Sequence, residues 1–133
     1  MRSSMADPAK VSVRYIVDDV DASVIFYTNL LGFEINMHTP DAFAMLSKGN
    51  LSLLLNKPGA GGAGQAMPDG TKPSPGGWNR FHLEVDNLES TIDDLKRKNG
   101  KFRSNVMTAP AGRQILLMDP SGNLIELFER TRN

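Results

Sequence analysis

One pattern runs through the chain twice. Val17-Asp18-Asp19-Val20, followed by an amphipathic stretch ending at Leu31-Gly32, returns as Val85-Asp86-Asn87-Leu88 with a stretch ending at Asn99-Gly100. Val17 to Val85 and Gly32 to Gly100 are both 68 residues apart, while Gly49-Asn50-Leu51 returns as Gly122-Asn123-Leu124 at an offset of 73. An internal repeat decides architecture before any single residue does, because each copy must form one supersecondary unit.

The repeat lets each copy be read against the other. Val11 to Val17 alternates with a period of two, Val11, Val13, Tyr15 and Val17 on one face and Ser12, Arg14 and Ile16 on the other, which predicts a strand. Asp19 or Asp21 can cap the helix that follows, whose buried face is Val20, Val24, Tyr27 and Leu31 and whose end is Gly32. Phe33–Met37, Ala42–Lys48 and Leu51–Leu55 read as three short strands, with a hairpin-type turn at Gly49-Asn50. In the second copy, Arg80–Val85 is a strand with Phe81, Leu83 and Val85 on one face and Arg80, His82 and Glu84 on the other. Asn87 caps a helix whose apolar face is Leu88, Ile92 and Leu95, stopped by Gly100. Lys101–Val106, Arg113–Met118 and Leu124–Glu129 complete a second β-α-β-β-β unit. Residues 57–77 hold seven glycines and four prolines, a composition that forms neither a helix nor a central strand. Their glycines lack the Gly-Lys-Ser/Thr ending of a phosphate loop.

Composition removes several classes. Fifteen basic and fifteen acidic residues cancel, whereas nucleic-acid binders carry a basic excess. There is no cysteine, hence no disulfide and no thiol nucleophile. No apolar run approaches the roughly 20 residues of a membrane helix, and no signal core opens the chain. A cytoplasmic location is expected. The organisation predicted for the 133 residues is a disordered leader (1–10) and a single domain over 11–130. Module one is 11–56, a Gly/Pro-rich linker 57–77, and module two 78–130.

Three segments carry a family resemblance. They are Asp19-Val20-Asp21-Ala22-Ser23 with Phe26-Tyr27 and Leu30-Leu31-Gly32-Phe33, then His82-Leu83-Glu84-Val85-Asp86-Asn87-Leu88, then Asp119-Pro120-Ser121-Gly122-Asn123-Leu124-Ile125-Glu126-Leu127. Together they resemble the vicinal oxygen chelate superfamily, which groups glyoxalase I, bleomycin-resistance proteins, fosfomycin-resistance proteins and extradiol dioxygenases. The resemblance implies an α+β fold of two βαβββ modules in one glyoxalase-like domain, with curved mixed sheets enclosing a cavity. It also implies a homodimer, with cavities often built from both chains.

In the family's metalloenzymes, ligands come from the first and last strand of each module. The first-strand ligand lies seven residues before the capping aspartate, which by resemblance gives Ser12 and Arg80. The last-strand ligand follows Gly-Asn-Leu-Ile, giving Glu126, and the 73-residue offset transfers it to Leu53. Serine is a poor ligand, leucine has no donor atom and arginine carries a fixed positive charge. A catalytic divalent site needs about three protein ligands. No metal or other cofactor is therefore expected, with Glu126 and His82 as the only candidate metal ligands.

Arg80 has two compatible readings, a salt bridge to Glu126 in the vacated site and a group that binds an anion. Ser12, Arg14, Trp78, Arg80, Glu84 and Arg113 are the candidate ligand-binding residues, and His82 and Glu126 the candidate catalytic pair. Anchoring of Trp78 in the core is favoured over stacking on a ligand. The function expected is the binding of a small organic molecule, anions among the candidates, in a cavity, without a complete metal site. The alternatives are a metal-dependent glyoxalase-like lyase or isomerase, or a metal-independent enzyme with His82 or Glu84 as base. A dioxygenase is disfavoured, because non-haem iron needs two histidines and a carboxylate.

Overall fold

A computed structural model describes residues 11–132, so the predicted leader at 1–10 lies outside the described residues. The chain divides into two compact units, Met1–Ser74 and Pro75–Asn133. Unit 1 runs β1 (Val11–Ile16), α1 (Val20–Leu31), β2 (Glu34–Thr39), β3 (Phe43–Lys48) and β4 (Leu51–Asn56). Unit 2 runs β5 (Arg80–Glu84), α2 (Leu88–Arg97), β6 (Lys101–Phe102), β7 (Met107–Ala109), β8 (Gly112–Met118) and β9 (Leu124–Arg130). The first sheet has the order β1-β4-β3-β2 and the second β5-β9-β8-β6, with β7 also on β8. In each, the first strand runs parallel to the last and the other pairings are antiparallel. The α+β glyoxalase-like fold is thus present, with one β-α-β hand-over per unit.

Capping follows the local chemistry. Asp19, in an extended backbone conformation, accepts from the Ala22 N–H at 2.9 Å and starts α1. Asp21, the other capping candidate, lies in the first turn. It accepts instead from the Asp41 N–H at 3.0 Å and sits 2.7 Å from His38 Nε2. Those two contacts, the backbone one first, hold its carboxyl below the usual range. Gly32 takes the left-handed conformation that ends the helix. Asn87 caps α2 through the Ser90 N–H at 3.0 Å. At its other end the left-handed residue is Asn99, not Gly100. The Gly100 N–H donates to Leu95 O at 2.8 Å, and a Cβ there would stand 2.9 Å from that same oxygen. Gly100 is needed for close approach rather than for its φ.

Each helix covers one face of its own sheet. Val20, Val24, Tyr27 and Leu31 are buried, as are Tyr15, Ala44, Leu46, Leu53 and Leu55. Leu88, Ile92 and Leu95 are buried in unit 2, with Phe81, Ile115, Leu117, Ile125 and Leu127.

One predicted strand is not continuous. Lys101–Val106 breaks after Phe102, because the Leu116 N–H donates to the Ser104 hydroxyl (3.1 Å) instead of to a backbone carbonyl. A side-chain acceptor has replaced a rung of the ladder. Residues 57–77 hold no helix or strand. Their first half folds into turns, with the Ala60 N–H on Lys57 O and the Gly64 N–H on Ala60 O. The unit boundary falls inside this segment, at Ser74 and Pro75.

Candidate functional site

In a strand, neighbouring side chains point to opposite faces, so register decides which residues can meet. β5 lies on β9 with Arg80 opposite Leu124, His82 opposite Glu126 and Glu84 opposite Phe128. Leu116 of β8 stands across from Glu126 on the other side. Arg80, His82, Glu84, Glu126 and Phe128 therefore share the face turned away from α2. This face is not polar throughout: Leu116, Leu124 and Phe128 are buried among the charged groups. An apolar floor with a few convergent polar groups suits a small organic ligand.

Glu126 is the hub. Arg80 Nε donates to its Oε1 at 3.0 Å, and Arg80 Nη2 lies 2.9 Å from the same oxygen. His82 Nδ1 is 3.2 Å from Oε2. A carboxylate only accepts, so a hydrogen bond at this contact takes the Nδ1–H form of the His82 ring and leaves Nε2 outside it. The ring of Phe128 lies 4.9 Å from the His82 ring, centroid to centroid. The Glu126, Arg80 and His82 side chains are 15%, 29% and 47% exposed, so the cluster opens outward through His82. Arg80 Nη1 also donates to Trp78 O at 3.3 Å, which leaves one N–H on each terminal nitrogen unused.

The remaining predicted residues fall elsewhere. Glu84 pairs with Arg130 at 2.7 Å, a contact that holds the Glu84 carboxyl low. This pair belongs to a cleft of about 280 Å³ at the far end of the strands, lined also by Val85, Asp86, Glu129 and Arg132. In unit 1, Ser12 and Arg14 are exposed on β1, and Arg14 Nη1 donates to the buried Asn56 side chain.

Trp78 does not anchor in the core: it is 63% exposed. The backbone fixes this segment instead. Gly76 and Gly77 adopt positive φ, and the Gly76 N–H donates to Asn123 Oδ1 at 2.8 Å. Asn123 is itself held by Asp119 Oδ2 at 3.1 Å.

Arg113 is not brought to the cluster. It stands opposite Glu129 on β8, one residue out of phase with Glu126, and so on the helix side of the sheet. There its Nη2 meets Glu129 at 3.0 Å and its Nη1 meets Glu89 at 3.1 Å. Glu129 also accepts from the Leu88 N–H at 2.8 Å. That backbone bond first, then Arg113, lowers the Glu129 pKa. A depressed folded pKa contributes stability that is present above the unfolded value, about 4.3 for glutamate, and is lost as pH falls through the folded value. Wild type should accordingly lose stability below about pH 4.3, and Glu129→Gln, which cannot titrate, should lose less over the same interval. Urea midpoints from pH 7 to pH 3 for both proteins measure the difference.

Register also corrects the transfer of the last-strand position to unit 1. Arg14, 68 residues before His82, stands opposite Leu54, so the counterpart of Glu126 is Leu54 and not Leu53. Leu53 is fully buried on the helix side. The turn Asp119-Pro120-Ser121-Gly122-Asn123 is built differently from Gly49-Asn50, so an offset read from the turns slips by one on the strands. The chemistry is unchanged, since either leucine lacks a donor atom.

The donors do not fit a resident divalent metal. Unit 2 offers Glu126 and His82 beside a guanidinium, unit 1 offers Ser12 and Leu54 at the corresponding strand positions, and no three His, Asp or Glu side chains converge among the described residues. Among those residues, no helix is long and apolar enough to cross a membrane.

Known proteins resemble this chain over nearly all of its length. A family model described as Glyoxalase/Bleomycin resistance protein/Dioxygenase superfamily matches residues 11–127. Human mitochondrial methylmalonyl-CoA epimerase is 28% identical over 129 residues, covering 86% of this chain and 70% of that protein. The lactoylglutathione lyase of Agrobacterium tumefaciens superposes with a TM-score of 0.73 at 20% identity, covering 94% of this chain and 96% of that one. TnmS3, an antibiotic binding protein from Streptomyces sp. CB03234, superposes with a TM-score of 0.71 at 20% identity, over 98% of this chain and 100% of that one.

Proposed function

The chain belongs to the Glyoxalase/Bleomycin resistance protein/Dioxygenase superfamily, and from that premise we propose that it binds a small organic anion on the open face of the second sheet, without a metal. The observation that carries this reading is the double engagement of Glu126, by Arg80 and by His82, where a metalloenzyme needs free donors. The guanidinium supplies a fixed positive charge with two N–H groups to spare. Buried Leu116, Leu124 and Phe128 supply apolar area. Among the similar proteins, an antibiotic binding protein lends the binding role its precedent.

The test is calorimetry of the wild-type protein with small carboxylates and phosphates, repeated after treatment with a chelator, beside elemental analysis. At least one anion should bind, with equal affinity in the treated protein. Near one zinc, nickel, iron or manganese per chain, or binding abolished by the chelator, overturns the reading.

A metal-independent proton transfer is the second reading. It is favoured by the orientation of His82, whose Nδ1 faces Glu126 while Nε2 stays available to take a proton from a substrate carbon. An epimerase stands among the relatives. Incubation with methylmalonyl-CoA in heavy water distinguishes the two. Deuterium incorporation lost in His82→Asn supports catalysis, and none in wild type removes that substrate.

A further inference from the structure

Trp78 is the sole tryptophan, and its exposure sets it apart. An indole in water is unfavourable unless something meets it. Arg103 meets it on one side: its guanidinium carbon lies 4.7 Å from the centre of the indole ring. Trp78 lies just before β5 and Arg103 just after β6, at opposite edges of the second sheet. In a flat sheet three strand spacings separate those edges, roughly 14 Å. Two long side chains have therefore reached toward each other across the sheet, Trp78 from the start of β5 and Arg103 from the row of Leu116, Glu126 and His82. The backbone beneath Arg103 is fixed, since its N–H donates to Leu116 O at 2.8 Å and the next residue, Ser104, accepts from Leu116.

The two arginines beside Trp78 differ in one respect. Arg80, bonded to the Trp78 carbonyl, is neutralised by Glu126. Arg103, stacked on the Trp78 ring, has no acidic partner among the described residues. A guanidinium resting on an aromatic face still points its N–H groups outward in the ring plane, where an anion can accept them.

Resting on the anion-binding reading above, we propose that Trp78 and Arg103 form the part of the site that selects its ligand, and that the ligand class is planar aromatic acids. The ring of the ligand lies against the exposed indole, and its carboxylate or phosphate is shared between Arg103 and the spare N–H groups of Arg80. The indole contributes stacking area that an aliphatic acid cannot use. Arg103 contributes the charge that Glu126 has cancelled at Arg80.

The test uses benzoate as probe, with benzamide as its neutral counterpart and cyclohexanecarboxylate as its non-planar one. Affinities come from calorimetry, and binding to wild type is followed also by Trp78 fluorescence. Benzoate should bind about tenfold tighter than benzamide, the scale of one charge-assisted bond, and up to about tenfold tighter than cyclohexanecarboxylate, the scale of one aromatic pair, and should change the Trp78 emission. Arg103→Met and Trp78→Leu should each weaken benzoate by about tenfold, Arg103→Lys by less than Arg103→Met, and Trp78→Phe by less than Trp78→Leu. Circular dichroism confirms that these surface variants fold.

Equal affinity for the three probes overturns the proposal. So does full affinity in Arg103→Met and Trp78→Leu while Arg80→Met loses it, a result that leaves the anion-binding reading standing. A change in oligomeric state alone on Trp78→Leu also overturns it, since the indole would then be a protein contact. If no carboxylate or phosphate binds wild type at all, the anion-binding reading fails and this inference with it.

Discussion

Replacing Arg80 with methionine should weaken small organic anions by about 1.5–3 kcal/mol, the range for hydrogen bonds to charged groups. That corresponds to roughly ten- to a hundred-and-fifty-fold in Kd. Two effects add in the variant. The fixed positive charge is gone, and Glu126 is left facing the ligand with only His82 opposite it. Stability should fall less. Removing one partner of a fully buried pair costs about 3–5 kcal/mol. Arg80 is 29% exposed and Glu126 15%, so solvent screens the remaining carboxylate and about 1–2 kcal/mol is expected. The double variant Arg80→Met/Glu126→Gln separates the two roles. It should regain most of the stability, because no uncompensated charge remains, and none of the affinity. Chemical denaturation and calorimetry on wild type, Arg80→Met and the double variant give both numbers. Undiminished affinity in Arg80→Met, with lost stability recovered in the double variant, would make Arg80 a structural ion pair.

The largest loss of stability should come from Tyr27→Ala, about 3–5 kcal/mol and more than about 10 °C in Tm. Tyr27 is fully buried. Its ring meets Phe26 edge-on with centroids 4.9 Å apart, and Phe33 at 5.5 Å. Truncation removes both contacts and leaves a cavity between α1 and its sheet that the backbone cannot close. Ile25, two residues earlier on the same helix, is 60% exposed. Ile25→Ala should stay within about 0.5 kcal/mol, and urea unfolding of the pair shows whether burial, rather than helix propensity, sets the difference.

The helices and most strands were legible because their determinants are local. Asp19 and Asn87 cap where cap chemistry predicts, and Gly32 ends α1 with the positive φ a glycine allows. The resemblance identified a family that the match over residues 11–127 shows. What a repeat in the text could not carry was phase. The offset of 73, taken from a turn, pointed to Leu53, whereas pairing across the sheet puts Leu54 opposite Arg14. Arg113 stayed ambiguous for the same reason, since the face it takes depends on a β8–β9 register that no local pattern states. Counting forward by twos from Glu126 along Leu124–Glu129 reaches Phe128 and so places Glu129 on the other face, but nothing in the sequence ties Arg113 to Glu129. Arg103 went unnoticed because its meaning comes from Trp78, 25 residues earlier and at the other edge of the sheet.

The broken ladder at Ser104 also bears on self-association. A long unpaired strand is a template on which another chain can zip. In the second unit the edge farthest from β5 is cut into pieces of two and three residues, β6 and β7. That edge offers no run long enough to copy. The matching edge of the first unit, β2, is six residues long, exposed over most of its length, and interrupted only by the register shift between Ile35 and Met37. Of these two outer edges, one is blunted against aggregation by a single hydroxyl, and the other rests on a bulge for the same protection.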